Sequence, residues 1–241
     1  MKTIAPYTPI QYIMGKQEFF GLDFMVNENV FIPRPETEML VDEVVSLVQS
    51  TGCMVQSPRI LDLCTGSGNI AISLMVRLRS PSILSEVEGL TKNMPDCKIV
   101  ASDISQDTLD VAKRNAARHG VNDIIEFVRS DLFENVEGKF DIIVSNPPYI
   151  ARYEFRDIGR EVLMEPMAAL YGGEDGLDFY RRIIKDAESH LRGGGYLIME
   201  IGFGQAAEIR KIIDRTESLK VLKIRKDRNG IGRVIMSRWI N

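Results

Sequence analysis

Ile60-Leu61-Asp62-Leu63-Cys64-Thr65-Gly66-Ser67-Gly68-Asn69-Ile70-Ala71 is the stretch on which the fold turns. An apolar run ends at Asp62 or Leu63, a glycine loop follows, and a helix is predicted to open near Asn69. Gly66 and Gly68 permit positive φ and let a ligand come close to the backbone. The amides of the loop and the helix N-terminus then face that ligand. Residues 66–71 also satisfy G-x-G-x-x-A, so a nicotinamide or flavin site must be weighed. Such a site wants an acid about 20 positions on. The available acid, Asp103, ends the apolar run Lys98–Ser102 and lies 103 − 66 = 37 positions away. An insertion would account for the excess, so spacing alone leaves both readings open.

A second signal lies downstream. Asp141-Ile142-Ile143-Val144-Ser145 reads as a buried parallel strand, and Asn146-Pro147-Pro148-Tyr149 follows it directly. Two prolines lack the N–H groups that a ladder needs, so the chain leaves the sheet as a stiff loop. Open α/β folds place their ligands at that carboxyl end. An amide side chain beside rigid carbonyls and an aromatic face suits the gripping of a planar –NH2 group. By itself the tetrapeptide reads as a proline-stiffened turn. Paired with the glycine loop it becomes a site.

Strand and helix patterns alternate around these two loops. A β-hairpin is predicted between about Gln17 and Ile32, turning at Gly21-Leu22 and again near Asn27-Glu28-Asn29. A helix from about Glu36 carries Met39, Leu40, Val44, Val45 and Val48 on one face. Strands are predicted near 59–63, 97–102, 124–129, 140–145, 195–201, 219–225 and 232–238. Helices are predicted near 69–78, 105–118, 177–191 and 204–216. The pattern argues for a twisted, mostly parallel α/β sheet. The tight turn Asp227-Arg228-Asn229-Gly230 makes the last pair antiparallel.

Composition agrees with an ordinary globular protein. With 44% hydrophobic and 27% charged residues, the 241-residue chain is neither disordered nor membranous, and it can bury a full core. No apolar run approaches the ~20 residues of a membrane span, and Met1–Pro6 lacks the apolar core of a secretion signal. Cys53, Cys64 and Cys97 are odd in number and lack Cys-x-x-Cys pairing, so they read as buried thiols of a reducing cytoplasm. No metal site is expected. The two histidines, His119 and His190, fall where helices should end, which leaves little support for His-based catalysis or zinc.

Together the loops resemble those of a class I S-adenosylmethionine-dependent methyltransferase acting on amino groups. Further pieces narrow the resemblance to the PrmC (HemK) family, the protein-glutamine N5-methyltransferases of peptide chain release factors. They are Gln11–Gly15, Phe19–Leu22, Ile32-Pro33-Arg34-Pro35-Glu36-Thr37-Glu38, Ser130-Asp131-Leu132-Phe133, Glu165-Pro166, Gly172–Asp178, Gly194–Leu197 and Glu200-Ile201-Gly202. The similarity runs from about Pro9 to the C-terminus.

The resemblance implies a Rossmann-like seven-stranded sheet in the order 3-2-1-4-5-7-6, mostly parallel with an antiparallel last strand and preceded by the hairpin. It divides the chain into an N-terminal segment with hairpin linker, 1–35, and a methyltransferase domain, 36–241. S-adenosylmethionine would meet the backbone of Cys64, Thr65, Gly66, Ser67 and Gly68 with its amino-acid end. Asp103 would accept the ribose hydroxyls, Asp131 and Leu132 would edge the adenine, and Asn146 would also contact the cofactor. Asn146 and Pro147 would accept the two N–H bonds of the substrate amide, Pro148 would stiffen the loop, and Tyr149 would pack on the amide plane. For Asp103 the alternative is an N-cap of the following helix, and for Asp131 a plain turn aspartate. Arg34, Glu36 and Thr37 owe any active-site role to the resemblance.

Three departures stand out. The helical domain with which family members usually begin is expected to be missing or removed; Cys64 stands where glycine is common; and about 79–94 reads as an insertion. Two rivals remain. A nucleic-acid methyltransferase acting on adenine N6 or guanine N2 would use the same acceptors. The net charge of −4 and pI near 5.4 argue against nucleic acid as the direct substrate. A dinucleotide-dependent oxidoreductase or non-catalytic nucleotide-binding module leaves Asn146–Tyr149 unexplained. The expected partner is a release factor, and a cytoplasmic monomer is expected.

Overall fold

Period-2 alternation in a strand buried on both sides decides which layer each side chain serves. In β3 (Arg59–Leu63), Ile60 joins one apolar cluster while Leu61 and Leu63 join another on the opposite face. The computed structural model describes residues 5–50, 57–79 and 97–240. Cys53 and nearly all of the 79–94 insertion lie outside the described residues.

A short helix, α1 (Ile10–Met14), leads into a hairpin of β1 (Lys16–Phe19) and β2 (Leu22–Met25). The hairpin strands are shorter than the predicted 17–32. The second expected turn is present, with the Val30 N–H donating to Asn27 O, but it carries the chain away from the sheet instead of extending the pairing. After a single 3-10 turn at Pro35–Thr37 comes α2 (Glu38–Ser50). Then β3 is followed by α3 (Asn69–Arg79), β4 (Lys98–Asp103) by α4 (Gln106–Arg118), and β5 (Ile125–Arg129) by β6 (Phe140–Ser145). The remaining elements are α5 (Met167–Leu170), α6 (Asp178–His190), β7 (Leu191–Glu200), α7 (Ala206–Asp214), β8 (Leu219–Lys226) and β9 (Gly232–Trp239).

The sheet order is β5-β4-β3-β6-β7-β9-β8. Counted within this sheet alone, that is 3-2-1-4-5-7-6. All pairings are parallel except those of β9, which runs against both β7 and β8. Helices α2, α3 and α4 and the hairpin phenylalanines Phe19 and Phe24 pack on one face. Helices α6 and α7 cover the other through Tyr180, Ile183, Ile184, Ile209 and Ile213. Strand β7 begins four residues earlier than predicted, because its register against β6 shifts between Phe140 and Ile142 and absorbs the triple glycine. Gly194, with φ +77°, carries that irregularity inside a strand where a loop was expected.

Strand order reverses between β3 and β6, which leaves a crevice beyond their carboxyl ends. Both motif loops start there.

Candidate active site

Asp62 shows how the glycine loop is held. It points to the same face as Ile60, toward α3, and is fully buried. One oxygen accepts the Thr65 hydroxyl at 2.6 Å and the Ala71 N–H at 3.2 Å, while Oδ1 has no partner among the described residues. Burial pushes its carboxyl up to about 7. The Thr65 N–H donates to Ser102 O on β4, and the Gly68 N–H closes the bend onto Thr65 O.

The two glycines serve different ends. A Cβ on Gly66, at φ +57°, would meet nothing within 4 Å among the described residues, so this position leaves space for a ligand. A Cβ on Gly68, at φ +81°, would strike Ile72 Cδ1 at 2.9 Å and Ala112 Cβ at 3.2 Å. Gly68 therefore allows α3 and α4 to close behind the loop. Cys64 has φ +60°, a left-handed backbone that glycine adopts freely. Its thiol is pushed well up by burial and by the carboxylates of Asp103 and Asp62.

Asp103 ends β4. Its Oδ2 accepts the Gly66 N–H and its Oδ1 the Ser105 N–H, each at 3.1 Å. Burial raises its carboxyl, and these N–H groups oppose the rise. The N-cap of α4 is Ser105, whose hydroxyl accepts the Thr108 N–H. Asp131 pairs with Arg182 of α6 at 2.8 Å, and the adjacent Leu132 is buried at φ +50°.

Asn146 follows β6. Its Nδ2 donates to the Thr37 hydroxyl at 3.2 Å, and its Oδ1 accepts nothing among the described residues. None of the loop or side-chain hydrogen bonds among the described residues ends on the Pro147 carbonyl. Pro147 and Pro148 are buried, and the Tyr149 ring packs against the α6–α7 core. Tyr149 O accepts the Gln205 amide at 2.8 Å. Gly172, Gly176 and Gly202 let neighbouring backbone press on this loop, since a Cβ on any of them would lie under 3 Å from Tyr149 atoms.

Both loops open on one cavity of about 510 Å³. Its wall contains Cys64, Thr65, Gly66, Ser67, Asp103, Asp131, Leu132, Asn146, Pro147, Pro148 and Tyr149. Gly68 stands behind it. The roof is Glu28–Phe31 and Pro33 on one side and Pro166–Tyr171 on the other. Thr37 lines the cavity, whereas Glu36 does not. Arg34 pairs with the buried Glu165, which also takes the Ile32 N–H at 2.9 Å, so one carboxylate ties the two halves of the roof.

Sequence reasoning assigned no role to Asp62, Asn115, Glu165, Arg182 or Glu200. Asn115 is fully buried and links the hairpin to the glycine loop, accepting the Met25 N–H while its amide donates to Met25 O and Ser67 O. A polar residue on the buried face of α4 was the available signal.

His119 C-caps α4 and His190 ends α6, where it stacks on Phe133 at 4.4 Å. Among the described residues, no group of three or more His, Cys, Asp or Glu is placed to hold a metal ion. Nor is any described helix long and apolar enough to cross a membrane.

Chemically, the cavity offers a carboxylate and unhindered backbone at one end and two unengaged oxygens at the other, Asn146 Oδ1 and Pro147 O. The family profile of the RMKL-like methyltransferase domain matches residues 44–163. A release factor glutamine methyltransferase of Streptococcus pneumoniae is 38% identical over 234 residues, covering 97% of this chain and 76% of that protein. The chain belongs to the release factor glutamine methyltransferase family. A bifunctional methyltransferase of Rickettsia prowazekii is 41% identical over 222 residues, which cover 86% of this chain and 40% of its own length. The chain thus spans about three quarters of the first relative and under half of the second. A crystal structure of a methyltransferase from Pyrococcus furiosus shares the fold, with TM-score 0.58 at 18% identity over 92% of this chain and 91% of that one.

Proposed function

We propose that this chain transfers a methyl group from S-adenosylmethionine to the side-chain nitrogen (N5) of the glutamine in the Gly-Gly-Gln loop of peptide chain release factors. One observation carries the reading. The Asn146–Tyr149 loop and the glycine bend face a common cavity, so a donor held at one meets an acceptor held at the other.

The residues fit the cofactor. Gly66 leaves its backbone uncovered, Asp103 offers an acceptor at the end of β4, and Leu132 supplies an apolar edge beside Asp131. Cys64 to Ser67 would hold the amino-acid end, Asp103 the ribose hydroxyls, and Asp131 with Leu132 the adenine. Gly68 would act through the shape of the bend. When bound, the cofactor supplies an electrophilic methyl group on a sulfonium and is left as S-adenosylhomocysteine.

A glutamine amide is a poor nucleophile, because its nitrogen lone pair is delocalised into the carbonyl. Asn146 Oδ1 and Pro147 O would accept its two N–H bonds and turn that lone pair toward the methyl. Pro148 keeps the acceptors at fixed spacing, and Tyr149 supplies a face for the amide plane. No side chain need remove a proton before attack; the proton leaves to water once nitrogen has bonded. Orientation of this kind is worth up to ~7–11 kcal/mol of barrier. Action as a cytoplasmic monomer belongs to the same reading.

The test is incubation with labelled S-adenosylmethionine and purified release factor, followed by peptide mass mapping. Methylation at the glutamine of the Gly-Gly-Gln loop is expected. Label in nucleic acid and none in the release factor would reverse the assignment.

A further inference from the structure

A buried carboxyl stands behind Asn146, and no step above uses it. Glu200 ends β7, which pairs with β6 in a register that sets Ser145 opposite Met199. Asn146 and Glu200 are therefore neighbours one step beyond the last β6–β7 pair, where Glu200 still pairs with Val234 of β9. Glu200 is 3% exposed; its backbone oxygen takes the Tyr180 hydroxyl at 3.0 Å, and its carboxyl Oε2 has no partner among the described residues. The Thr37 hydroxyl and the Asn146 amide both adjoin this carboxyl, and each favours its charged form, as a donor aimed at it would. The Asn146 Nδ2 also donates to Thr37 Oγ1.

A side-chain amide can sit either way round with almost the same shape, so its partners decide which end faces the substrate. A hydroxyl whose single hydrogen goes to a carboxylate presents only lone pairs to its other neighbour. Asn146 thus meets two acceptors on its inner side, and both require –NH2 there. Reversed, its oxygen would face a carboxylate with no proton between them. Its –NH2 would then face the N–H bonds of the substrate.

We propose that Glu200 is a positioning residue: through Thr37 and directly, it locks the Asn146 amide with Oδ1 presented to the cavity. This inference rests on the proposed acceptor role of Asn146. Burial pushes the Glu200 carboxyl up to about 7; Glu36 adds to the rise, while Thr37, Arg233 and Asn146 oppose it. The buried phenols of Tyr149 and Tyr180 also face it. Once protonated, the carboxyl can itself donate to Asn146 Oδ1, and the reversed amide becomes tolerable. The lock is therefore full above neutral pH and loosens below it.

Glu200→Gln, whose amide can both donate and accept, should lower kcat by about 10- to 100-fold while KM for the release factor and Kd for S-adenosylhomocysteine stay within about threefold. It should also abolish the acid limb of the kcat profile. Thr37→Val should lower kcat in the same way, and Thr37→Ser should restore it. A second readout needs no substrate. In protein labelled with 15N-asparagine, the Asn146 –NH2 signal is identified by its loss in Asn146→Ala. Between pH 5.5 and 8.5 it should titrate with a near-neutral midpoint in the native chain and stay flat in Glu200→Gln. If Glu200→Gln fails to fold, the native titration and the Thr37 pair carry the test. A flat native signal would overturn the lock, as would wild-type kcat and acid limb in Glu200→Gln or Thr37→Val. Failure to methylate the release factor while the signal titrates would instead overturn the substrate reading.

Discussion

Gly172→Ala asks whether the placement of the Asn146 loop, as distinct from its chemistry, sets the rate. Gly172 has no positive φ, so alanine suits its backbone; what it lacks is room. The new Cβ would lie 2.7 Å from Tyr149 Cα, 2.8 Å from Tyr149 C and 2.9 Å from Pro148 O. Ordinary contact begins at 3.4 Å, so something must retreat by at least 3.4 − 2.7 = 0.7 Å. All three atoms are backbone, and no side chain can rotate away. The opposite segment is tethered too, since the Gly172 N–H donates to Ile150 O, the Ile150 N–H to Leu170 O, and the Asp178 N–H to Gly172 O. Overpacking of this kind costs about 1–3 kcal/mol of stability. A reacting group displaced by ~1 Å can lose ~100-fold in rate. We expect kcat on purified release factor to fall by about 10- to 100-fold with a modestly lowered Tm. Stabilisation by S-adenosylhomocysteine should persist, because the glycine bend and Asp103 are untouched. Wild-type turnover at an unchanged Tm would refute the packing argument.

Three other outcomes are expected. Asn146→Ala should leave S-adenosylhomocysteine affinity within about tenfold while methyl transfer collapses, which calorimetry beside a label-incorporation assay will show. Asp103→Ala removes the acceptor shared by Gly66 and Ser105 together with the proposed ribose contact. At ~1.5–3 kcal/mol for a hydrogen bond to a charged group, Kd should rise at least ~10-fold by the same titration. Asp62 titrates at about 7 in the folded chain against 3.8 ordinarily. Folding therefore takes up a proton between those values. The stability that Asp62 contributes is full below pH 3.8 and is lost as pH rises through about 7, on the order of 4 kcal/mol in all. Urea titrations from pH 5 to 8 should show a smaller decline in the isosteric Asp62→Asn than in the native chain.

Features carried by local chemistry were legible in the sequence. Short, mostly apolar runs at 60–63, 98–102 and 141–145, bounded by loop signals, read as strands buried on both sides, and the prolines at 147–148 must leave the sheet. Those constraints put Cys64–Ser67, Asp103, Asp131 and Asn146 at one end of the sheet, where the structure brings them to one cavity. Partnerships across long separations were not legible. Glu165 finds Arg34 and Ile32 more than 130 positions away, and Asn115 finds Met25 at 90, with no local pattern to announce either. Glycine was read as freedom of φ, which holds at Gly66; at Gly68 close packing governs as well, at Gly172 it governs alone, and packing appears only once helices and loops are in place. The triple glycine at 193–195 resembles a loop in isolation and sits in β7 as an irregularity between the pairs Phe140–Leu191 and Ile142–Tyr196, with the Arg238 side chain donating to Gly194 O.

Asp103 grips the glycine bend with one oxygen and the entry to α4 with the other. A nucleoside settling on that carboxylate would thereby also order the peptide that must receive an amino acid. Adenosine and methionine, supplied as separate fragments, should each tighten the binding of the other, and by the same factor.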